Sequence, residues 1–165
     1  MEISCRFPGV RRRSRDDCFF FTTVRDPTSR AISAWKNKLA EPDEIFGPLR
    51  RMGVTSRLDF DQFLEVCAKW PAWALNHHFM PQNLLLSKPL QAPDLKVFHF
   101  ESLSDDWHMI ADALEVRGAA VRPVLGRANA SRRDCSGDAP VSQAARRLLG
   151  RIYGDDYETF GYDRP

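Results

Sequence analysis

The stretch that most constrains the fold is "FFFTTVRDPTSRAISAWKNK", which contains a strand signal followed at once by a helix signal. Its first part, Phe19 to Val24, is a short apolar and β-branched run. Such a run predicts a strand buried on both faces, as in a parallel sheet covered by helices. Asp26 and Pro27 follow as an N-cap and a first helical residue, so the spacing predicts a helix directly after the strand.

The rest of the chain continues this alternation of strands and helices. We predict a loop over residues 41–55, a helix capped by Ser56, a strand from Asp94 to Phe100, a helix capped by Ser104, and a last helix from Pro140 to Tyr153 followed by a tail docked on the surface. The predicted fold class is therefore α/β, with a parallel sheet flanked by helices. Only two or three strands are visible, which is few for a complete sheet.

Composition and charge limit the classes of function. The chain has 165 residues, the size of one domain, and a net charge of +2, which by itself does not indicate a nucleic-acid binder. Five arginines and one glutamate lie in the first fifteen residues, so we predict a flexible basic arm over residues 1–17 and a folded domain over residues 18–165. No apolar run approaches the roughly 20 residues that cross a bilayer, so no membrane span is predicted.

The four cysteines do not indicate a metal site. They are Cys5, Cys18, Cys67 and Cys135, with no C-x-x-C spacing and no neighbouring histidine. We therefore predict no metal. Disulfides could form in an oxidising compartment, but the spacing fixes no pairing, and buried free thiols are favoured.

The position of Arg25 favours an anion site. In open parallel sheets, ligands bind beyond the carboxyl ends of the strands, where Arg25 is predicted to lie. The next helix points its positive N-terminus to the same side, and a guanidinium matches the geometry of phosphate. Ser33, two helical turns later, could add a hydroxyl if the ligand lay along the helix. The alternative is that Arg25 pairs with a carboxylate and that Ser33 is merely tolerated.

This stretch also resembles the 3′-phosphate-binding motif of the Golgi carbohydrate sulfotransferases, the family (sulfotransferase family 2) of the chondroitin 4-O- and HNK-1-type sulfotransferases. The matching positions are Arg25, Asp26, Pro27, Arg30, Ser33 and Trp35. Three later segments resemble family segments in the same order: "NHHFMPQ", "VFHFESLSDDW" and "IYGDDYETFGY". The resemblance spans nearly all of Phe19 to Tyr162.

The resemblance implies a P-loop-NTPase-like fold, a location in the Golgi lumen and transfer of a sulfuryl group from 3′-phosphoadenosine 5′-phosphosulfate (PAPS) to a carbohydrate or glycosaminoglycan hydroxyl. Arg25 and Ser33 would bind the 3′-phosphate. Arg30 also belongs to the motif and would brace the loop. His78 matches the family position for a histidine and is the candidate base, since histidine titrates near neutral pH. Its alternative role is to pack against Trp73 and donate to a backbone carbonyl.

The sequence departs from the family pattern before Arg25. The family has a first strand and a Lys- and Gly-rich 5′-phosphosulfate loop there, and the 24 residues before Arg25 contain neither G-x-x-x-x-G-K-[ST] nor a looser version of it. We therefore expect an incomplete, N-terminally truncated portion of the enzyme, whose activity alone is in question. The alternative is a non-catalytic nucleotide- or glycan-binding remnant of the same fold.

Overall fold

The computed structural model describes residues 18–40, 47–55, 58–118, 122–126 and 141–165, so the predicted basic arm lies outside the described residues. The elements are β1 (Phe21–Val24), α1 (Pro27–Trp35), α2 (Gly47–Arg51), α3 (Phe60–Cys67), α4 (Gln82–Leu85), β2 (Lys96–His99), α5 (Leu103–Val116) and α6 (Gln143–Phe160). A π-helical turn, Lys36–Ala40, extends α1. Residues 41–55 were predicted as a loop, and α2 lies within that segment.

The two strands form a parallel pair whose carboxyl ends lie at the same edge. Phe21 is opposite Lys96 and Val24 is opposite His99. Mixed helices and parallel strands agree with the predicted class, but the prediction that β1 is buried on both faces is wrong, because Phe21 is 39% exposed. In the part of the chain that the structure describes, the sheet has two strands, and β2 is the neighbour of β1.

The main core lies between α1, α3 and α6. The apolar face of α3 packs inward, with Phe63, Leu64 and Cys67 fully buried. The rings of Phe63 and Phe79 meet edge to face, with 4.7 Å between their centroids. Since burying one large apolar side chain contributes roughly 1.5–3 kcal/mol, this cluster anchors the segment around Phe79 to α3.

The helix starts show which capping signals were strong. Asp26 caps α1 as predicted, and its Oδ1 accepts the N–H of Ser29 at 2.7 Å. The predicted cap Ser56 lies outside the described residues, and the cap of α3 is Asp59, which exchanges hydrogen bonds with Gln62 in a capping box. Ser104 is wrong as a cap, since it lies inside α5, which begins at Leu103.

The last helix is longer than predicted. It runs from Gln143 to Phe160, with non-helical dihedral angles at Tyr153, where the predicted helix ended. The residues predicted as a surface tail therefore continue the helix, because Tyr157 and Phe160 are buried by their packing. Gly161 then ends α6 with a φ of 71°, and this left-handed turn directs Tyr162 back toward the strands.

None of the helices in the described ranges is both long enough and apolar enough to cross a membrane. In the same ranges, no group of three or more His, Cys, Asp or Glu side chains could hold a metal ion.

Candidate functional site

Arg25 lies between the end of β1 and the start of α1, and it is half-buried. Its guanidinium carbon lies 5.1 Å from the centroid of the Phe100 ring, a cation–π contact. Within the described residues, the guanidinium forms no hydrogen bond or ion pair. No described residue uses its donors, and its charge lowers the pKa of the nearby Glu101 carboxylate.

The backbone of Arg25 is held by a side chain distant in sequence. The Arg25 N–H donates to Oε1 of Gln82 at 3.0 Å, and Nε2 of Gln82 donates to the Arg25 carbonyl at 2.8 Å. Gln82 is 7% exposed. No role was predicted for Gln82, although it is the last residue of the segment "NHHFMPQ", which carries part of the family resemblance.

Asp26 is held from the other side by Glu101. The Asp26 N–H donates to Oε1 of Glu101 at 2.9 Å, and the Tyr162 hydroxyl donates to Oε2 at 2.8 Å. Burial opposes ionisation of Glu101, but these two hydrogen bonds and the charge of Arg25 outweigh it and lower the pKa of Glu101. The Glu101 carboxylate therefore stays ionised while it fixes the turn that carries Arg25.

A buried carboxylate supports the segment from which Gln82 projects. Asp156 of α6 accepts the backbone N–H groups of Gln82 at 2.7 Å and Asn83 at 2.8 Å. Burial raises the pKa of Asp156, and these hydrogen bonds oppose that shift. Asp156 thus supplies acceptors for the first N–H groups of α4, which have no partner inside the helix.

Arg30 is used within the fold. Its guanidinium donates to the carbonyl of Met80 at 2.9 Å and to that of His77 at 3.2 Å. Burial lowers the pKa of Arg30, which the nearby Tyr153 and Asp156 partly offset. Arg30 therefore braces the segment between His77 and Met80 against α1.

His78 belongs to this braced segment. Its backbone N–H donates to Oδ1 of Asn76 at 3.1 Å, and its ring lies 4.1 Å from the ring of His77. The described ring neighbour is thus His77 rather than Trp73, which is 73% exposed. Burial lowers the pKa of His78, and the charges of Lys38, His77 and Arg30 lower it further. The imidazole is therefore neutral near pH 7 and able to accept a proton.

Ser33 follows Arg30 by three residues on α1, so the two side chains lie on neighbouring positions of one helix face. Ser33 is half-buried, and in the described part of the chain its hydroxyl forms no hydrogen bond. The structure links Arg25, Arg30 and His78 through the segment from Asn76 to Gln82. Ser33 is connected to these three residues by the backbone of α1, which also carries Arg30.

A family of known proteins matches the sequence over nearly its whole length. Its model, described as the Sulfotransferase family, covers residues 3–163. No curated protein and no solved structure matches the chain. The matched range includes β1, α1, the end of β2 and α6, which together build the surroundings of Arg25. The chain therefore belongs to the sulfotransferase family.

Proposed function

We propose that this chain is the 3′-phosphate-binding portion of a PAPS-dependent carbohydrate sulfotransferase of the Golgi type, related to the chondroitin 4-O- and HNK-1-type enzymes. Membership of the sulfotransferase family supports sulfuryl transfer in general. Arg25 and Ser33 bind the 3′-phosphate of the donor. Arg30 contributes by holding the neighbouring segment, because its guanidinium already donates to two backbone carbonyls.

The observation that carries this proposal is the environment of Arg25. Arg25 follows the carboxyl end of β1 and precedes the positive end of α1, and its guanidinium has donors that no described residue uses. A planar fork of donors is suited to a phosphate, with which it can form two parallel hydrogen bonds. The guanidinium also contacts the ring of Phe100, 5.1 Å from its centroid.

The proposed reaction moves one sulfuryl group. The acceptor hydroxyl oxygen forms a bond to sulfur, and the bond between sulfur and the oxygen of the 5′-phosphate breaks. Its electron pair remains on that phosphate, so adenosine 3′,5′-bisphosphate leaves. The hydroxyl proton passes to a base. Binding the 3′-phosphate orients the donor for in-line attack, and such orientation is a large part of catalysis in transfer reactions.

His78 is the proposed base. It is half-buried, and it is neutral near pH 7 because burial and the nearby cations Lys38 and Arg30 lower its pKa. A neutral imidazole can accept the proton of an acceptor hydroxyl as the bond to sulfur forms. The same cations favour the approach of an anionic donor to this region.

The experiment is a titration with adenosine 3′,5′-bisphosphate, followed by calorimetry. We expect binding that Arg25→Ala weakens by at least about tenfold, since a charge-assisted pair is worth about 1.5–3 kcal/mol. Arg151→Ala, an exposed arginine on α6, is the matched control. No binding at millimolar concentration would reject the proposal. A labelled-sulfate transfer assay on carbohydrate acceptors then separates an enzyme from a nucleotide-binding remnant.

A further inference from the structure

Gln82 gives Arg25 the two backbone hydrogen bonds that a neighbouring strand would give. We propose that Gln82 is a positioning residue for donor binding: it fixes the Arg25 backbone so that the guanidinium faces the 3′-phosphate. This inference rests on the function proposed above. The amide of Gln82 accepts from the Arg25 N–H at 3.0 Å and donates to the Arg25 carbonyl at 2.8 Å.

Arg25 needs such a partner because it lies outside both regular elements. The ladder between β1 and β2 ends at Val24 and His99, and α1 begins at Pro27. Without Gln82, the N–H and carbonyl of Arg25 would lose their partners at a place where the chain turns. Since the guanidinium stands at the end of a long side chain, a small rotation of this backbone displaces it. A displacement of about 1 Å can reduce the rate of a transfer reaction about a hundredfold.

Gln82 is itself fixed by a rigid part of the fold. Asp156, which is fully buried in α6, accepts the Gln82 backbone N–H at 2.7 Å. One hydrogen bond therefore connects Asp156 to Gln82, and two hydrogen bonds connect Gln82 to Arg25. On the other side, Glu101 accepts the N–H of Asp26. The orientation of the anion-binding side chain is thus set by residues that do not contact the anion.

The test compares two nucleotides that differ only in the 3′-phosphate. Dissociation constants of adenosine 3′,5′-bisphosphate and adenosine 5′-monophosphate are measured for the full chain, Gln82→Met, Arg25→Ala and the double variant. We expect Gln82→Met to weaken binding of the bisphosphate about tenfold and binding of the monophosphate by less than about twofold. In the Arg25→Ala background, Gln82→Met should have no further effect, because coupled residues are non-additive.

Ile110→Val, at a fully buried position of α5, is a control that lowers stability without touching the site. It should leave the ratio of the two dissociation constants unchanged. A purely structural role for Gln82 predicts equal weakening of both nucleotides and additive effects with Arg25→Ala, and either result overturns the inference. If Gln82→Met does not fold, amide exchange on the unmodified chain decides: the Arg25 N–H should be protected, and exchange at the rate of an unstructured peptide rejects the inference.

The outcomes separate this inference from the proposed function. If the unmodified chain binds both nucleotides equally, the 3′-phosphate site is wrong, and the role of Gln82 fails with it. If the unmodified chain prefers the bisphosphate through Arg25, and Gln82→Met keeps that preference, only the positioning role is wrong.

Discussion

The hydroxyl of Tyr162 donates to the Glu101 carboxylate at 2.8 Å, and this bond joins the residue after the turn at the end of α6 to the segment that follows β2. The Tyr162 ring also stacks on His99, with 4.9 Å between the ring centroids. Because Glu101 holds the N–H of Asp26 through its other oxygen, the C-terminal turn and the helix start at Asp26 are tied to one carboxylate.

Tyr162→Phe removes only the hydroxyl and keeps the stacked ring. We expect it to lower the free energy of unfolding by about 1 kcal/mol, since the lost hydrogen bond reaches a charged but partly exposed group. The folded-state pKa of Glu101 is lowered, so this stabilisation is present above the ordinary pKa of glutamate and is lost as the pH falls through the lowered value. Urea unfolding at several pH values measures it. If the difference in the free energy of unfolding between the two proteins stays constant into the acid range, the hydrogen bond to ionised Glu101 is not its cause.

Arg30→Met tests the brace between α1 and the segment that carries His78. It leaves the carbonyls of His77 and Met80 without a donor, so we expect a loss of about 2–3 kcal/mol in the free energy of unfolding. Arg51→Met, on the exposed surface of α2, is the matched control and should stay within about 0.5 kcal/mol of the unmodified chain. Equal effects of the two substitutions in urea unfolding would show that Arg30 is no brace.

Local sequence signals predicted the parts of the fold that local contacts determine. Asp26 and Pro27 start α1 because an N-cap and a first-turn proline act on adjacent residues. Ser104 failed as a cap because serine is common in many settings, whereas Asp59, the cap of α3, gains a reciprocal partner three residues later. The helix α6 passes the predicted end at Tyr153, since burial of Tyr157 and Phe160 beyond it outweighs the low helix propensity of Gly154.

The supports of the candidate site could not be predicted in the same way. Gln82 and Arg25 are separated by 57 residues, and Asp156 and Gln82 by 74. No spacing rule connects such positions, and an amide or a carboxylate has the same sequence signature on the surface as in a buried network. The resemblance did include the segments that contain them, but it assigned roles to Arg25, Arg30, Ser33 and His78 alone. These roles stay predictions until binding is measured.

Substitution by alanine should change the stability of the chain in opposite directions at two glycines, Gly150 inside α6 and Gly161 at its end. Gly161 has a φ of 71°, so we expect Gly161→Ala to cost about 1 kcal/mol and to weaken the docking of Tyr162. Gly150 lies inside the helix, and an added Cβ there would meet no atom within 4 Å. Gly150→Ala should therefore stabilise the chain by up to about 1 kcal/mol, because alanine has the higher helix propensity. Thermal unfolding distinguishes the pair. Stabilisation by Gly161→Ala would contradict the left-handed helix end at Gly161, and destabilisation by Gly150→Ala would contradict the open space around Gly150.

His78 should titrate below the ordinary range of histidine, because burial and then Lys38, His77 and Arg30 lower its pKa. The folded chain therefore binds fewer protons than the unfolded chain between the lowered value and about 6.5. In that window, stability should rise with pH and fall as His78 becomes protonated. Nuclear magnetic resonance of the imidazole Cε1–H reports the midpoint, and we expect Lys38→Met to raise it, since one neighbouring positive charge is removed. Lys88→Met, at an exposed position after α4, is the control and should leave the midpoint unchanged. A midpoint equal to that of the urea-unfolded chain would remove the electrostatic support for His78 as a neutral base.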